Sequence, residues 1–288
     1  MSILPQLIAN SLIAAGTYAL LAIGFNLIYG ATKFFNLAHG VMAAVGGYTV
    51  FFLTTTFAQM NVVVAAAIGV LVAATIGWGL DRVVYRALRK RHASNMVLLV
   101  ASLGAFTVIQ AAIAMIFTSQ FQTLSSVASE QVFQVAGASI TETQIIIMLS
   151  AILVFALLWI FLKTTMFGKQ VRAVSDDEEV ARIAGVNTEK VLGWIFFIGS
   201  AIAGLGGILI GFDTGIQPTM GMELLLKGVI AAIVGGVGSI SGAILGALLL
   251  GFAENFGIWK ISGEWKDAIA FGLLILFLIF RPKGIIKS

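Results

Sequence analysis

The chain has 288 residues, of which 59% are apolar and only 10% are charged, and it carries a formal net charge of +4. Soluble domains carry roughly 25% charged residues, so this chain cannot cover itself with a wettable surface and is predicted to lie in a bilayer. It contains no cysteine, which excludes disulfides, thiolate catalysis and thiolate metal sites, and its two histidines do not make a metal cluster; no cofactor or metal is therefore predicted.

Long apolar runs predict the transmembrane helices, because a helix needs about 20 apolar residues to cross the hydrocarbon core. The candidate segments are 7–29, 37–57, 61–80, 95–117, 144–162, 189–212 and 268–280. The glycine-rich block 224–257 holds one long segment or two short ones. We therefore expect an all-α polytopic membrane protein with about eight transmembrane helices, some of them short or broken, in a single domain over residues 1–288.

Polar groups stand inside apolar sequence at Asn26 and in the stretch NLAHG, residues 36–40. Asn26, Asn36 and His39 would lie near or within the membrane, where each polar side chain needs a partner. Gly40 permits a broken or closely packed helix. One interpretation places Asn36, His39 and Gly40 along a translocation path. The other is a helix N-terminus capped by Asn36, with His39 bonded to a neighbouring carbonyl, and the sequence leaves both open.

Lys and Arg residues gather in the segments 81–91 and 163–190 and in the C-terminal tail. By the positive-inside rule these three regions, and hence the C-terminus, are predicted to be cytoplasmic, where they contact anionic lipid headgroups rather than nucleic acid. The loop 118–143 has no Lys or Arg and is predicted to lie outside. An even number of crossings must then separate the second basic segment from the tail, which favours two short helices within 224–257.

Residues 169–190 form the one long stretch in which charge and an amphipathic pattern replace apolar sequence. Ser175 and Glu178 match a capping box, and Glu179 adds to the negative charge that favours a first helical turn. Gly185 is the expected stop of this helix. The pattern predicts a helix of about ten residues, too short to be stable unless it packs on another surface. We interpret the stretch as a docking loop.

Polar residues cluster again in the segment that follows the sixth apolar run. Glu223 and Lys227 are spaced i, i+4 and are predicted to pair on one helical face. Asp213 and Gln217 precede them, and one hypothesis is that these two side chains contact a substrate in the membrane. The alternative is an interfacial loop with a solvated ion pair.

The glycine-rich segment carries Gly238, Gly242 and Gly246 at intervals of four residues, a spacing that predicts a bare helical face for packing or a hinge. No Gly-Lys-Ser/Thr sequence follows, so the segment is not a phosphate-binding loop. The chain also lacks the HExxH and GxSG motifs. A non-catalytic protein is therefore expected, which does not hydrolyse ATP by the Walker route.

Two separated stretches resemble one known family, the permease subunits of bacterial ABC importers for branched-chain amino acids. NLAHG after GFNLIYG is similar to the N-terminal signature of that family, and RAVSDDEEVARIAGVNTEKV with GGVGSISGAILGALLLGFAE is similar to its C-terminal half. ABC permeases also carry a cytoplasmic EAAxxxG loop, whose short helix inserts into the ATPase. Glu179, Ala181 and Gly185 occupy the first, third and last places of that motif, whereas Val180 stands in the second place, where the motif has alanine.

The resemblance implies that the region of about 163–190, with Ser175 and Glu178, couples the chain to an ATPase. It further implies a multi-pass subunit of the bacterial inner membrane that works with a second permease subunit, identical or different, two ABC ATPase subunits and a periplasmic substrate-binding protein. The implied substrates are branched-chain amino acids. Permeases for urea or short amides are similar and stay an alternative. A third alternative is an ion-coupled carrier or channel, for which Asp213 and Glu223 would be the candidate carboxylates.

Overall fold

A computed structural model describes residues 3–57, 60–124 and 131–286, and most of these residues lie in helices. The helices are α1 (Leu4–Thr32), α2 (Ala38–Thr56), α3 (Val62–Leu80), α4 (Arg86–Lys90), α5 (Asn95–Phe117), α6 (Glu142–Thr164), α7 (Met166–Asp176), α8 (Glu178–Ile183), α9 (Thr188–Thr214), α10 (Met220–Gly235), α11 (Ile240–Gly257) and α12 (Lys266–Phe280). A π-helical turn joins α3 to α4, and strands β1 (Val132–Val135) and β2 (Ala138–Thr141) form an antiparallel hairpin.

The predicted all-α membrane fold is confirmed. Six helices of the described ranges are long and apolar enough to cross a membrane: α1, α3 continued through α4, α5, α6, α9 and α11. The shorter or less apolar helices α2, α10 and α12 correspond to the remaining predicted segments. The block 224–257 contains most of α10 and the whole of α11, so it holds two short helices rather than one long one.

The hairpin lies between α5 and α6, and the apolar pattern does not predict it. Its strands are rich in β-branched and aromatic residues, which favour a pleated conformation. Ala136 and Gly137 join them, with φ angles of 51° and 88°. Positive φ at both central residues is the requirement of the tight type I′ turn, whose twist matches that of two paired strands.

Helix α9 lies at the centre of the bundle, in contact with α1, α2 and α3. Glycines allow these helices to touch backbone to backbone: a Cβ atom built on Gly46 of α2 would lie 2.5 Å from the carbonyl oxygen of Gly204 in α9. Lipid tails are as apolar as leucine, so close packing of small residues replaces the hydrophobic effect as the force between helices. Helices α5 and α6 instead keep most of their apolar side chains on the surface.

Two of the short helices begin inside the bundle rather than at its ends. The amide of Leu37, just before α2, donates to the Ser102 hydroxyl at 3.0 Å, and Ser102 lies about two turns inside α5. The start of α2 also touches the start of α10, because Gly40 and Gly221 have no side chains to separate their backbones. The chain therefore enters the membrane region in a non-helical conformation before each of these helices.

The basic segments lie together at one end of the bundle, which we call the basic end. Arg89 forms ion pairs with Asp81 at 2.8 Å and with Glu189, in the first turn of α9, at 3.3 Å. These contacts join the segment 81–91 to the end of the segment 163–190.

The C-terminal tail lies at the basic end as well. The Ile286 amide donates to the Gly235 carbonyl at 2.9 Å, beside the α10–α11 turn. That turn is bonded to Asn26 of α1. The chain leaves α1 at Lys33, whose carbonyl accepts a hydrogen bond of 3.3 Å from Asn95, directly after the first basic segment.

The N-terminus lies at the other end of the bundle, which we call the hairpin end. The side chain of Gln6 accepts a hydrogen bond from the Ser139 amide at 2.8 Å and donates one to the Ser139 carbonyl at 3.1 Å. Ser139 belongs to β2, so the first turns of α1 and the hairpin share this end. Helix α1 therefore runs from the hairpin end to the basic end.

The glycine packing predicts opposite effects for one substitution at two sites. Alanine improves helix propensity by about 1 kcal/mol at either site. At Gly46, however, its methyl group would overlap the α9 backbone, whereas at Gly104 it meets no atom within 4 Å. Gly46→Ala should lower the free energy of unfolding by about 1–3 kcal/mol, as overpacking does, and Gly104→Ala should not lower it. Unfolding in mixed detergent micelles measures both; equal stability of the two variants would contradict the packing.

Candidate functional site

Helix α8 is a six-residue helix at the basic end, between α7 and α9. The Asp177 carboxylate begins it by accepting hydrogen bonds from the amides of Glu179 at 2.8 Å and Val180 at 3.0 Å. Gly185 ends it with a φ of 88°, where a side chain would be strained. The amide of Val186 then bonds back to the Ala181 carbonyl at 3.0 Å, which completes a Schellman turn.

The predicted capping box is wrong. Ser175 lies in the last turn of α7 and caps nothing, while Asp177 has the extended backbone that an N-cap residue needs. Glu178 is the first residue of α8, so it is not the third residue of a helix that Ser175 begins. In place of one helix of about ten residues, the chain has a break at Asp177 between the amphipathic α7 and the six-residue α8.

One side of α8 packs on the protein, and the other is open. Ala181 is 3% exposed, whereas Val180 is 61% and Ile183 is 83% exposed. Glu179, between the two sides, is exposed too. We call Glu179, Val180 and Ile183 the α8 face. Large apolar side chains held outward by a capped and terminated helix, at a charged end of the molecule, form a surface typical of a protein contact.

The residues Asn36, His39 and Gly40 lie together at the start of α2. The Asn36 side-chain oxygen accepts hydrogen bonds from the Ala38 amide at 3.1 Å and from the Tyr85 hydroxyl at 3.0 Å. His39 is fully buried, with Nε2 3.3 Å from the Leu21 carbonyl oxygen. These contacts match the packing interpretation, except that the start of the helix lies deep in the bundle. A place on a translocation path stays a prediction for the three residues.

The predicted pair of Glu223 and Lys227 is wrong. Lys227 binds Glu254 at 2.6 Å and Asp267 at 2.7 Å, while the Tyr18 hydroxyl donates to the other Glu254 oxygen at 2.6 Å. Glu254 is fully buried, and a buried carboxylate is stable only when it is paired and hydrogen-bonded. Tertiary contact therefore draws Lys227 away from the partner that helical spacing suggests.

Comparison with known proteins decides the family. Residues 7–278 match the family model described as branched-chain amino acid transport system / permease component. The chain belongs to this family. BraD of Pseudomonas aeruginosa is a high-affinity branched-chain amino acid transport system permease protein. It is 34% identical to this chain, over 98% of this chain and 95% of BraD. LivH of Escherichia coli K12, of the same description, is 34% identical over 98% of this chain and 94% of the relative.

The fold is shared with a solved structure. PsaBC from Streptococcus pneumoniae in complex with Fab matches the permease with a TM-score of 0.54 at 15% identity, over 95% of this chain and 91% of that chain. The predicted family and the membrane-embedded permease class are confirmed by the family model and the full-length relatives. The chain is accordingly a membrane-embedded permease component of a transport system.

Asp213 and Gln217 of the permease do not join the cluster around Asn36. Asp213 accepts a hydrogen bond of 3.2 Å from the Gln144 side chain at the hairpin end. Gln217 lies between α9 and α10, where its amide is 3.5 Å from a Glu223 oxygen. The residues predicted for a path thus form separate groups. Within the described ranges, no group of three or more His, Asp or Glu side chains could hold a metal ion.

The glycines predicted for helix packing have two different places in the permease. Gly242 and Gly246 of α11 lie against the α10 backbone, where a Cβ on Gly246 would overlap the Ala231 carbonyl. Gly238 instead precedes α11 in the turn, with a φ of 87°. Its amide donates to the Asn26 side chain at 3.1 Å. The sequence predicts that Asn26 needs a partner at membrane depth, and the turn between α10 and α11 supplies it.

The Glu254 network predicts a large loss of stability when Lys227 alone is neutralised. Lys227→Met removes the nearest cation from the buried Glu254 and leaves only Lys266 at 3.7 Å, which costs up to about 3–5 kcal/mol, whereas Lys260→Met changes an exposed side chain and should cost little. Adding Glu254→Gln to Lys227→Met should recover part of the loss, because the buried charge is then gone. Detergent unfolding curves give these values, and a Lys227→Met curve that matches the Lys260→Met curve would disprove the pairing.

Proposed function

We propose that this chain is the membrane subunit of an ATP-driven importer and translocates branched-chain amino acids across the bacterial inner membrane. The observation that carries the proposal is the α8 face, an exposed apolar and acidic surface on a helix that is capped at one end and ended by a glycine turn at the other. The chain has no Walker ATP-binding motif of its own. The substrate follows the descriptions of the relatives matched over nearly the full chain. Residues 1–288 would act as one transmembrane domain.

Separate ATPase subunits would contact the α8 face. Glu179, Val180 and Ile183 supply the contact, while Ala181 and Gly185 hold it in place by packing and by the turn. Helix α7 connects α8 to α6, and only four residues separate the end of α8 from the start of α9. A displacement of α8 is therefore passed directly to the helix at the centre of the bundle. Packed helices with two arrangements convert such a displacement into alternating access.

The remaining partners follow from the family resemblance. They are a second permease subunit, identical or different, a second ATPase subunit and a periplasmic substrate-binding protein. The concentration of Lys and Arg at the basic end supports a cytoplasmic position for that end. The C-terminus and α8 would then be cytoplasmic, and the N-terminus and the hairpin periplasmic.

The role of the α8 face predicts that charge placed on it separates the subunits. Ile183→Asp with Val180→Asp should lower the yield of co-purified ATPase at least about tenfold, since a charge without a partner is buried in the contact. ATP-dependent uptake should fall with it. Val135→Asp, the same change at an exposed site of the hairpin, serves as the control for co-purification. Full co-purification and uptake in the double variant would argue against coupling through α8.

The orientation is testable because the natural chain has no cysteine. A single cysteine in place of Asp177 should react with a membrane-impermeant maleimide only after the cells are opened. A cysteine in place of Ser262, at the hairpin end, should react in intact cells. Labelling of the Asp177 position from outside would reverse the orientation and remove the basis for ATPase contact at α8.

A further inference from the structure

A cavity of about 360 Å³ opens at the hairpin end, between the ends of α1, α6, α9, α11 and α12. Its size falls within the range of roughly 300–1,000 Å³ that small-molecule sites occupy. Two charged side chains of opposite sign line it, Asp213 and Lys266. Ile13, Ala14 and Ile210 supply apolar wall. Of the residues that line it, the sequence singles out only Asp213, as a candidate substrate contact.

Asp213 has unused capacity in this cavity. Its carboxylate accepts the hydrogen bond from Gln144 at 3.2 Å, and among the described residues no cationic side chain lies within ion-pair distance of it. A carboxylate offers about four acceptor positions. Asp213 can therefore accept an ammonium group without giving up its bond to α6.

Lys266 has unused capacity as well. Its only ion-pair contact among the described residues is a long one, 3.7 Å to Glu254. Glu254 already forms an ion pair with Lys227 at 2.6 Å and accepts a hydrogen bond from the Tyr18 hydroxyl at 2.6 Å. The Lys266 side chain is also 38% exposed. Glu254 thus keeps the Lys266 ammonium group near the cavity, although the charge of Glu254 is already paired with Lys227. The N–H donors of Lys266 can therefore bind an anion.

We infer that this cavity is the entry site for a zwitterionic amino acid with an aliphatic side chain. Asp213 receives the ammonium group, Lys266 receives the carboxylate, and the wall of Ile13, Ala14 and Ile210 receives the side chain. The inference rests on the proposed function and gives it a location. A neutral amide such as urea needs neither charge, so two opposite charges in one cavity favour an amino acid.

Conservative variants separate ligand binding from a purely structural role. Asp213→Asn keeps an oxygen that accepts the Gln144 bond and removes only the charge. Lys266→Gln removes a charge that Glu254 does not need. Lys260→Gln and Glu264→Gln are the matched controls, because they make the same changes of charge at exposed sites of the hairpin end outside the cavity.

The experiment uses the full transporter, with its ATPase and binding protein, in liposomes. Asp213→Asn and Lys266→Gln should each lower ATP-dependent uptake of radiolabelled leucine at least about tenfold, the effect of losing one charge-assisted hydrogen bond, with unchanged co-purification of the ATPase. Both controls should transport at the wild-type rate. In equilibrium binding to the transporter without its binding protein, isoamylamine and isovalerate, which each lack one charge, should compete with leucine at least about tenfold less well than valine.

The possible failures are distinct. Wild-type leucine uptake by both cavity variants, or equal competition by the singly charged analogues, would overturn the entry site and leave the proposed function standing. A wild-type transporter that takes up urea but not leucine, or that takes up neither with ATP, would overturn the proposed function and the entry site with it.

Discussion

Direct contact between helix backbones is the constraint on which this structure depends. In a bilayer, apolar side chains gain nothing by leaving lipid for protein, so helices must fit closely to stay together. The contacts Gly46–Gly204 and Gly40–Gly221 bring α2 against α9 and α10 at a distance that no other residue type allows. Such contacts are short-ranged, and a small relative shift of the helices changes many of them at once.

Buried polar side chains supply what close packing alone cannot. A chain that enters the membrane region outside a helix has free backbone groups, and these need partners where water is absent. Asn36 provides one at the start of α2, and Asn26 binds both carbonyl and amide groups of the turn between α10 and α11. The break before α2 and the turn between α10 and α11 are thus each accompanied by an amide side chain that bonds the backbone near it.

A single helix joins the two functional regions that we propose. Helix α9 has 27 residues, a length of about 40 Å. It begins just after α8 at the basic end and carries Asp213 in its last turn at the hairpin end. Because its middle is packed on α1, α2 and α3, it cannot move without changing those contacts. Force applied at the α8 face and ligand held near Asp213 therefore act on the same rigid body.

Sequence alone determined the class of this protein, because the length of its apolar runs and the scarcity of charge within them decide whether its helices can cross a bilayer. Helix boundaries within a few residues, the stop at Gly185 and the division of 224–257 followed from the same local rules. The partners of buried charges did not follow from these rules. Lys227 has Glu223 at helical spacing but forms its ion pair with Glu254 of a different helix. The N-cap of α8 is Asp177 and not the predicted Ser175, because α7 continues through Ser175 and its end depends on how that helix packs. Only the tertiary structure decided which polar groups meet, because the need to satisfy a buried charge outweighs the small energies by which neighbours along one helix attract each other.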